Sequence, residues 1–323
     1  MKETIDIISS KDDSEKTYLI SKLCYMYYIE NLSQDEISKR VFISRSQVSK
    51  LITLGKQLGM VHIQVDSPFY HSHVLEDQLL KKYGLLESYI ADYEPDNIPD
   101  DQKKIVSTIH KVLEKYAKDG DTICVGGGHT MWLTSAQINS LSADNITIVP
   151  LTSNYSSIGF NYQVSHVVKN FADNIKAKFC LLNTPFILSS KDLKSQLEQE
   201  PSVRDVLKMS QNSNILICTT NKFQSDNLFD KNSTSDLKEI LDDKNIVCNI
   251  GTSFLNVDGK QIHKEISKQM MGLNIEEIKK IPYRICICAG EGKIKALKAL
   301  LKSGCINILI SNNETSKALL ADD

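Results

Sequence analysis

The hydrophobic positions of the first 60 residues recur with helical spacing in three consecutive segments. The first, Tyr18–Ile29, has one apolar face. Two capping-box patterns follow, in which a serine and a Glu or Gln three residues later can satisfy each other's backbone amides: Ser33 with Glu36, and Ser44 with Gln47. They predict a short helix to about residue 40 and a further helix from residue 44, which together form a helix-turn-helix. The alternating segment Val61–Val65 predicts a short strand, which would make the motif winged.

Beyond residue 66, apolar runs alternate with helical periodicity. The pattern predicts a helix over about 72–84 that ends at Gly84, and the acidic, proline-containing segment Asp92–Asp101 predicts a surface loop. Seven apolar runs predict strands: Thr122–Val125, Ile146–Leu151, Phe179–Leu182, Ile215–Thr219, Val247–Ile250, Arg284–Cys288 and Ile306–Ile310. Because such strands separated by helices are typical of sheets covered on both faces, we expect an α/β domain with a Rossmann-like, mostly parallel sheet.

These patterns divide the chain into two predicted domains. Residues 1–66 form the winged helix-turn-helix domain and residues 67–323 form the α/β domain. A length of 323 residues also suits two domains better than one. The helix at 72–84 could connect the two domains or pair with its copy in a dimer.

Composition narrows the class of protein. No run of about 18 apolar residues occurs and the first residues lack the pattern of a signal peptide, so we expect a cytoplasmic protein without a membrane segment. The eight cysteines lie in apolar segments without a CxxC pair. That distribution favours reduced, buried thiols over disulfides or a metal site.

Positive charge is concentrated in the N-terminal helices, because residues 17–62 contain six basic and three acidic side chains although the whole chain has a net charge of −2. The outer face of the second capped helix presents hydrogen-bond donors near its start: Arg45, Ser46, Gln47, Ser49 and Lys50. Any surface helix displays some of these residue types, but their place in a helix-turn-helix favours binding to double-stranded DNA. The candidates for base edges are Arg45 and Gln47. The candidates for the DNA backbone are Ser33, Ser44, Ser46 and Lys50.

Two glycine-rich loops follow predicted strands, namely Gly126–Thr130 and Ala289–Lys293. Ligands of parallel sheets bind at the carboxyl ends of the strands, where glycines let backbone amides approach an anion. A tight turn and a solvated lysine are the alternatives for the two loops, but their corresponding positions favour an anion pocket. The segment Asn249–Gly259 could add polar contacts. Gly126–Thr130 fits neither GxGxxG nor the Walker pattern, so no nucleotide cofactor is expected.

The segments Tyr27–Ile52 and Gly59–Ile63 resemble the N-terminal domain of the SorC family of bacterial sugar-responsive regulators, in spacing as well as residue type. The resemblance continues through the large domain in segments where the family has recurring motifs: Leu75–Tyr83, Asp119–Thr130, Phe254–Gly259, Ala289–Lys293, Ile306–Ile310 and Thr315–Leu320. It implies a sugar-phosphate-binding domain related in fold to sugar-phosphate isomerases and deaminases. It also implies phosphate-binding positions at Gly127, Gly128, His129, Thr130 and Lys293, and a polar pocket position at Gln163.

Two candidate effector contacts depart from the family pattern. After Ile146–Leu151, relatives often have a basic residue and glycines, whereas this chain has Thr152-Ser-Asn154. Many relatives have an acidic residue where Asn249 stands. We therefore expect no Schiff-base lysine, and either a ligand with one phosphate rather than two or a ligand outside the standard family effectors.

The leading hypothesis is a DNA-binding transcriptional regulator of carbohydrate metabolism genes, controlled by a small effector such as a sugar phosphate. Binding to a pseudo-palindromic operator requires at least a homodimer, and the family resemblance suggests a homotetramer. The main alternative is a sugar-phosphate isomerase or deaminase with an accessory helical module, for which His129 and Glu291 are the titratable candidates. A sugar-binding scaffold that contacts protein would leave Arg45, Gln47 and Lys50 without a role. We expect no enzyme activity and no cofactor.

Overall fold

The computed structural model describes residues 11–91, 98–155, 159–220, 223 and 243–321. Contacts between Cα atoms divide the chain into an N-terminal unit, Met1–Pro68, and a C-terminal unit, Phe69–Asp323. Each unit has its own buried core.

The described residues of the N-terminal unit form three helices, α1 (Lys11–Tyr28), α2 (Gln34–Val41) and α3 (Arg45–Gln57). Both predicted capping boxes are confirmed. The amide of Glu36 donates to Ser33 Oγ at 3.3 Å while the Ser33 amide donates to the Glu36 carboxylate at 2.8 Å. The second box, at the start of α3, has corresponding distances of 3.3 and 3.2 Å. The local sequence therefore fixes where α2 and α3 begin.

The three helices share a small apolar core of fully buried side chains: Leu23, Met26, Ile37, Val48 and Ile52. Gly55 allows α1 and α3 to approach closely, since a Cβ atom there would lie 2.4 Å from Cys24 Sγ. The turn between α2 and α3 contains Phe42 in the left-handed conformation, with φ +56°, and its side chain is 93% exposed.

The predicted strand at Val61–Val65 is not found, because these residues are not paired with any strand. A strand is stabilised by hydrogen bonds to a neighbour, and alternation of residue types does not supply one. Ile63 and Val65 remain exposed. The helix-turn-helix is therefore present without the predicted wing.

The C-terminal unit is built on a seven-stranded sheet in the order β1-β10-β9-β5-β2-β3-β4, in which all neighbouring strands are parallel. The strands are β1 (Glu87–Ile90), β2 (Thr122–Val125), β3 (Thr147–Pro150), β4 (Lys178–Phe179), β5 (Ile215–Cys218), β9 (Tyr283–Ile287) and β10 (Ile308–Ser311). This arrangement confirms the predicted α/β fold class with a Rossmann-like parallel sheet. The edge strand β1 was missed, because its sequence, Glu-Ser-Tyr-Ile, has no apolar run.

Alternating strand residues divide the core into two layers. Side chains such as Ile215 and Ile217 face one layer, and their neighbours Leu216 and Cys218 face the other. The helices of the unit are α4 (Tyr70–Tyr83), α5 (Ile98–Tyr116), α6 (His129–Gln137), α7 (Val164–Ile175), α8 (Lys191–Leu197), α9 (Pro201–Gln211), α10 (Lys264–Ser267), α11 (Ile275–Ile278), α12 (Ile294–Lys302) and α13 (Asn313–Leu320). Helices α5, α6 and α7 cover the first layer, and α4, α12 and α13 cover the second.

Three predictions in this unit need correction or adjustment. The run Val247–Ile250 does not join the parallel sheet, because its strand β6 (Cys248–Ile250) pairs in a separate antiparallel sheet with β7 (Ser253–Leu255) and β8 (Gln261–Ile262). Of the predicted loop at 92–101, residues 92–97 lie outside the described residues and 98–101 begin α5, where Pro99 suits the first helical turn. The predicted helix at 72–84 is α4, which begins two residues earlier at Tyr70 and ends at Tyr83, with Gly84 in the left-handed conformation as its C-cap.

Candidate functional sites

The first candidate site is the exposed start of α3. The side chains of Arg45, Ser46, Gln47 and Lys50 are exposed there, whereas Val48 is buried against the other helices. Ser33, at the start of α2, is exposed as well. This division leaves one face of α3 free to enter a groove while the opposite face holds the core.

The capping box restricts which groups of Ser44 and Gln47 are free to contact DNA. Gln47 Oε1 accepts hydrogen bonds from the backbone amide of Ser44 at 3.2 Å and from Ser44 Oγ at 3.1 Å. Its amide nitrogen is therefore the group that would donate to a base, and the Ser44 hydroxyl is engaged in the cap. Arg45 lies 3.5 Å from Asp35 in an exposed ion pair, which is weak enough for DNA to displace.

The second candidate site lies at the carboxyl edge of the parallel sheet, where β2 leads through Gly126, Gly127 and Gly128 into α6. The amide of Gly126 donates to the Ile217 carbonyl at 2.9 Å, and the amide of Gly128 donates to the Tyr162 carbonyl at 2.8 Å. Gly128 has φ +107°, a conformation that only glycine adopts readily. The loop is thus anchored on both sides directly before the start of a nine-residue helix.

Gly127 is needed for close packing. A Cβ atom at this position would lie 2.9 Å from both the Tyr162 carbonyl oxygen and Val164 Cγ2. The backbone of the loop therefore rests directly on the segment that begins α7. Gln163, the predicted polar pocket residue, lies in this segment as the N-cap of α7 and is half-buried.

Three aromatic rings surround the first turn of α6. The ring centroids of His129 and Tyr162 are 5.2 Å apart, those of Trp132 and Tyr162 are 5.7 Å apart, and those of His129 and Trp132 are 6.0 Å apart. His129 is exposed, and Thr130 beside it is half-buried. The imidazole predicted to bind phosphate is therefore accessible, with its orientation supported by two neighbouring rings.

The two departures from the family pattern lie together in space. Thr152 follows β3 and is buried, whereas Asn249 lies in the middle of β6 and is half-buried. The side chains of both residues lie near the hydroxyl group of Tyr155. Burial raises the pKa of Tyr155, and these two neighbouring polar side chains oppose that rise. Tyr155 was not predicted, since nothing in its local sequence distinguishes it from a loop tyrosine.

The second predicted glycine loop follows β9. Gly290 has φ +117°, and its amide donates to Thr315 Oγ1 at 3.0 Å. The loop continues through a short 3-10 helix, Glu291–Lys293, into α12. Burial raises the pKa of the Cys288 thiol, and the nearby positive charge of half-buried Lys293 opposes that rise. The Lys293 ammonium group therefore lies near the end of β9.

Between the two glycine loops lies Thr219, at the carboxyl end of β5. Its Oγ1 atom is buried and has no hydrogen-bond partner among the described residues. Its methyl carbon would lie 3.6 Å from a Cβ atom at Gly128. A buried hydroxyl without a partner costs free energy, so a ligand atom at this point would relieve that cost. In the sequence, only the position of Thr219 directly after a predicted strand could have indicated a role at this site.

The strand order decides how the candidate groups are distributed. Since β5 lies between β2 and β9, the starts of the two glycine loops are about 10 Å apart, with Thr219 between them. Thr152 follows β3, on the other side of β2, whereas Asn249 lies in β6, which contacts helix α12 after the second glycine loop. Most candidate effector residues therefore follow strands of the parallel sheet at its carboxyl edge, whereas Asn249 comes from the separate antiparallel sheet and Gln163 from the start of α7.

Within the described residues, no helix combines the length and the apolar character that a membrane span needs. In the same part of the chain, no three His, Cys, Asp or Glu side chains are placed to bind a metal ion together. All eight cysteines are free thiols, and Cys180 alone among them is not fully buried.

Comparison with known proteins agrees with this geometry. Residues 67–321 match the family model of the Putative sugar-binding domain. The deoxyribonucleoside regulator of Bacillus subtilis (strain 168) is 25% identical over 315 residues, which cover 96% of this chain and 99% of that protein. The transcriptional regulator LsrR of Escherichia coli (strain K12) is 25% identical over 307 residues, covering 93% and 94%. In fold, the full-length sorbitol operon regulator SorC of Klebsiella pneumoniae matches 95% of this chain and all of its own, with a TM-score of 0.72 and 20% identity.

The fold, the family match and these relatives define a transcriptional regulator that responds to a sugar, rather than an enzyme. The chain belongs to the SorC family of sugar-responsive transcriptional regulators, and residues 67–321 are its sugar-binding domain.

Proposed function

We propose that this regulator binds a sugar phosphate at the carboxyl edge of the parallel sheet. The observation that carries the proposal is that Thr219 lies beside Gly128, between the two glycine loops, with a buried hydroxyl that has no hydrogen-bond partner among the described residues. Backbone amides at the start of α6 suit a phosphate, and His129, Thr130 and Lys293 would add side-chain donors. Thr152, Gln163 and Asn249 would contact the remainder of the effector.

We propose that the exposed face of α3 binds double-stranded operator DNA in the major groove. Arg45 and the amide nitrogen of Gln47 would contact base edges. Near the DNA backbone we place Ser33, Ser44, Ser46 and Lys50. The proposed DNA-binding domain is residues 1–66, with the effector-binding domain at 67–323 and α4 as their linker.

Regulation would couple the two sites in an oligomer. A pseudo-palindromic operator needs two copies of α3, so we propose a cytoplasmic homodimer or homotetramer. The effector would shift the population of two arrangements of the DNA-binding domains, by as much as its affinity for them differs.

The test begins with thermal unfolding of the full chain in the presence of sugars and their phosphates. The names of the relatives suggest a starting panel of deoxyribose, deoxyribose 5-phosphate, sorbitol and sorbitol 6-phosphate, to which other hexose and pentose phosphates are added. A phosphorylated ligand should raise the melting temperature by mass action, whereas its unphosphorylated partner should not. That compound should then change the affinity for operator fragments recovered by in vitro selection, as measured by fluorescence anisotropy. Stabilisation by free sugars alone would contradict the phosphate site.

A further inference from the structure

Phe42, in the turn between α2 and α3, is unfavourably placed on two counts. Its side chain is 93% exposed, more than any other large apolar side chain that the structure describes. Its backbone has φ +56°, in the left-handed region where a side chain is strained and glycine is not. A single exposed apolar residue is common on protein surfaces, but one that also strains the backbone favours a function in binding.

The neighbours of Phe42 fix the direction of its side chain. Val41 and Ile43 are half-buried, and both pack against the core of the N-terminal unit. Ser38 Oγ donates a hydrogen bond to the Ile43 carbonyl at 2.6 Å, which ties the turn to α2. Because the residues on either side of Phe42 are held by the core, its ring cannot turn inward without breaking these contacts. The turn that leads into α3 therefore keeps the ring in solvent.

The surroundings of Phe42 suit DNA. The turn leads within two residues to Ser44, the N-cap of α3, and the Cα atoms of Phe42 and Arg45 are at most about 11 Å apart. From Ile37 to Val65 the sequence contains no acidic residue and five basic ones: Lys39, Arg40, Arg45, Lys50 and Lys56. A segment with this charge attracts the phosphate backbone of DNA. The exposed ring thus belongs to a positively charged segment and lies next to the start of α3.

We propose that Phe42 is a further DNA-contacting residue, whose ring packs against the methyl group of a thymine in the operator. The inference rests on the proposed binding of α3 in the major groove. The thymine methyl is the apolar group that base pairs present in that groove, and phenylalanine is one of the side chains that contact it. Removing both groups from water is favourable. Phe42 would thus add a preference for an A·T pair beside the bases contacted by Arg45 and Gln47.

The first experiment measures the affinity of the full chain for operator fragments recovered by in vitro selection, by fluorescence anisotropy. Phe42→Ala keeps a Cβ atom in the left-handed conformation, so its melting temperature should not change while its affinity for the operator falls about five- to twenty-fold. Tyr18→Ala is the matched control, because Tyr18 is an aromatic residue of the same unit that is 70% exposed on α1. The control should bind like the wild type. An equal loss in both variants overturns the inference.

The second experiment tests the methyl group directly. Replacing single thymines of the operator with uracil removes the methyl group and leaves base pairing intact. At one position the wild type should lose affinity about three-fold or more on this change, whereas Phe42→Ala should show no further loss. If no position distinguishes the two proteins, the ring does not contact a thymine methyl and the inference is overturned.

Salt dependence separates this apolar contact from the ionic ones. Phe42→Ala should keep the wild-type slope of log affinity against log salt, since the ring releases no counterion, whereas Lys50→Ala should reduce that slope by about 1. A reduced slope in Phe42→Ala would contradict an apolar contact. A wild type that selects no DNA overturns the α3 site and the inference together, whereas unchanged operator affinity in Phe42→Ala overturns the inference alone.

Discussion

Replacing Gly127 with alanine should damage the loop between β2 and α6, whereas the same change at Gly126 should not. A Cβ atom at Gly127 would lie 2.9 Å from the Tyr162 carbonyl oxygen and 3.2 Å from the Val164 backbone nitrogen. At Gly126 the nearest atoms, on Cys218 and Leu151, would be 3.6 to 3.7 Å away, which is ordinary van der Waals contact. The two substitutions are chemically identical and one residue apart, so each controls for the other.

The magnitude follows from two effects. Forcing an extra carbon into a packed contact costs about 1–3 kcal/mol. Moving the Tyr162 carbonyl would also weaken its 2.8 Å hydrogen bond from the Gly128 amide, which contributes about 1 kcal/mol. We expect Gly127→Ala to lower the free energy of unfolding by about 2 kcal/mol, or the melting temperature by about 4–8 °C for a unit of this size. Gly126→Ala should stay within about 0.5 kcal/mol of the wild type.

The assay combines thermal unfolding with the fluorescence of Trp132, the single tryptophan of the chain. Trp132 lies beside His129 and Tyr162, so its emission should report distortion of this loop and the binding of an effector next to it. Gly127→Ala should change both the melting temperature and the response to ligand. Equal melting temperatures for the two variants, or a larger loss in Gly126→Ala, would refute the reasoning from contacts.

Three further predictions concern single side chains. Arg45→Ala should change the free energy of unfolding by less than about 0.5 kcal/mol, because the Arg45 ion pair is exposed. The variant should lose about 1–3 kcal/mol of discrimination between bases at one operator position, as measured by fluorescence anisotropy with operator variants. Unaltered selectivity would exclude Arg45 from base contact. Phe42→Gly should stabilise the N-terminal unit by about 1 kcal/mol in urea unfolding, because glycine adopts the left-handed backbone conformation of this position without strain. Phe42→Ala should not stabilise the unit. A destabilised glycine variant would contradict this prediction. Lys293→Ala should lower the affinity for phosphorylated ligands more than the affinity for unphosphorylated ones, as measured by calorimetry. Replacing the exposed Lys295 with alanine is the control. An equal loss of affinity for both ligand types would make Lys293 a structural residue.

The amino-acid sequence determined the elements whose signals are local. The capping boxes at Ser33 and Ser44 involve residues only three apart, so they fixed the starts of α2 and α3 without any tertiary contact. Apolar runs such as Ile215–Cys218 likewise identified the central strands, because a strand covered on both faces needs an apolar side chain at nearly every position. The fold class and the glycine loops followed from these patterns.

Only the tertiary structure decided which elements meet. The run at Cys248–Ile250 resembles a central strand but pairs with β7 in an antiparallel sheet, and Val61–Val65 alternates like a strand but has no neighbour to pair with. Strand pairing depends on hydrogen bonds between distant segments, which local residue patterns do not specify. The same reason explains Tyr155, whose hydroxyl lies near the side chains of Thr152 and Asn249, which are almost 100 residues apart in the chain. The sequence identified the glycine loops and the unusual residues Thr152 and Asn249. Only the tertiary structure placed both residues near Tyr155.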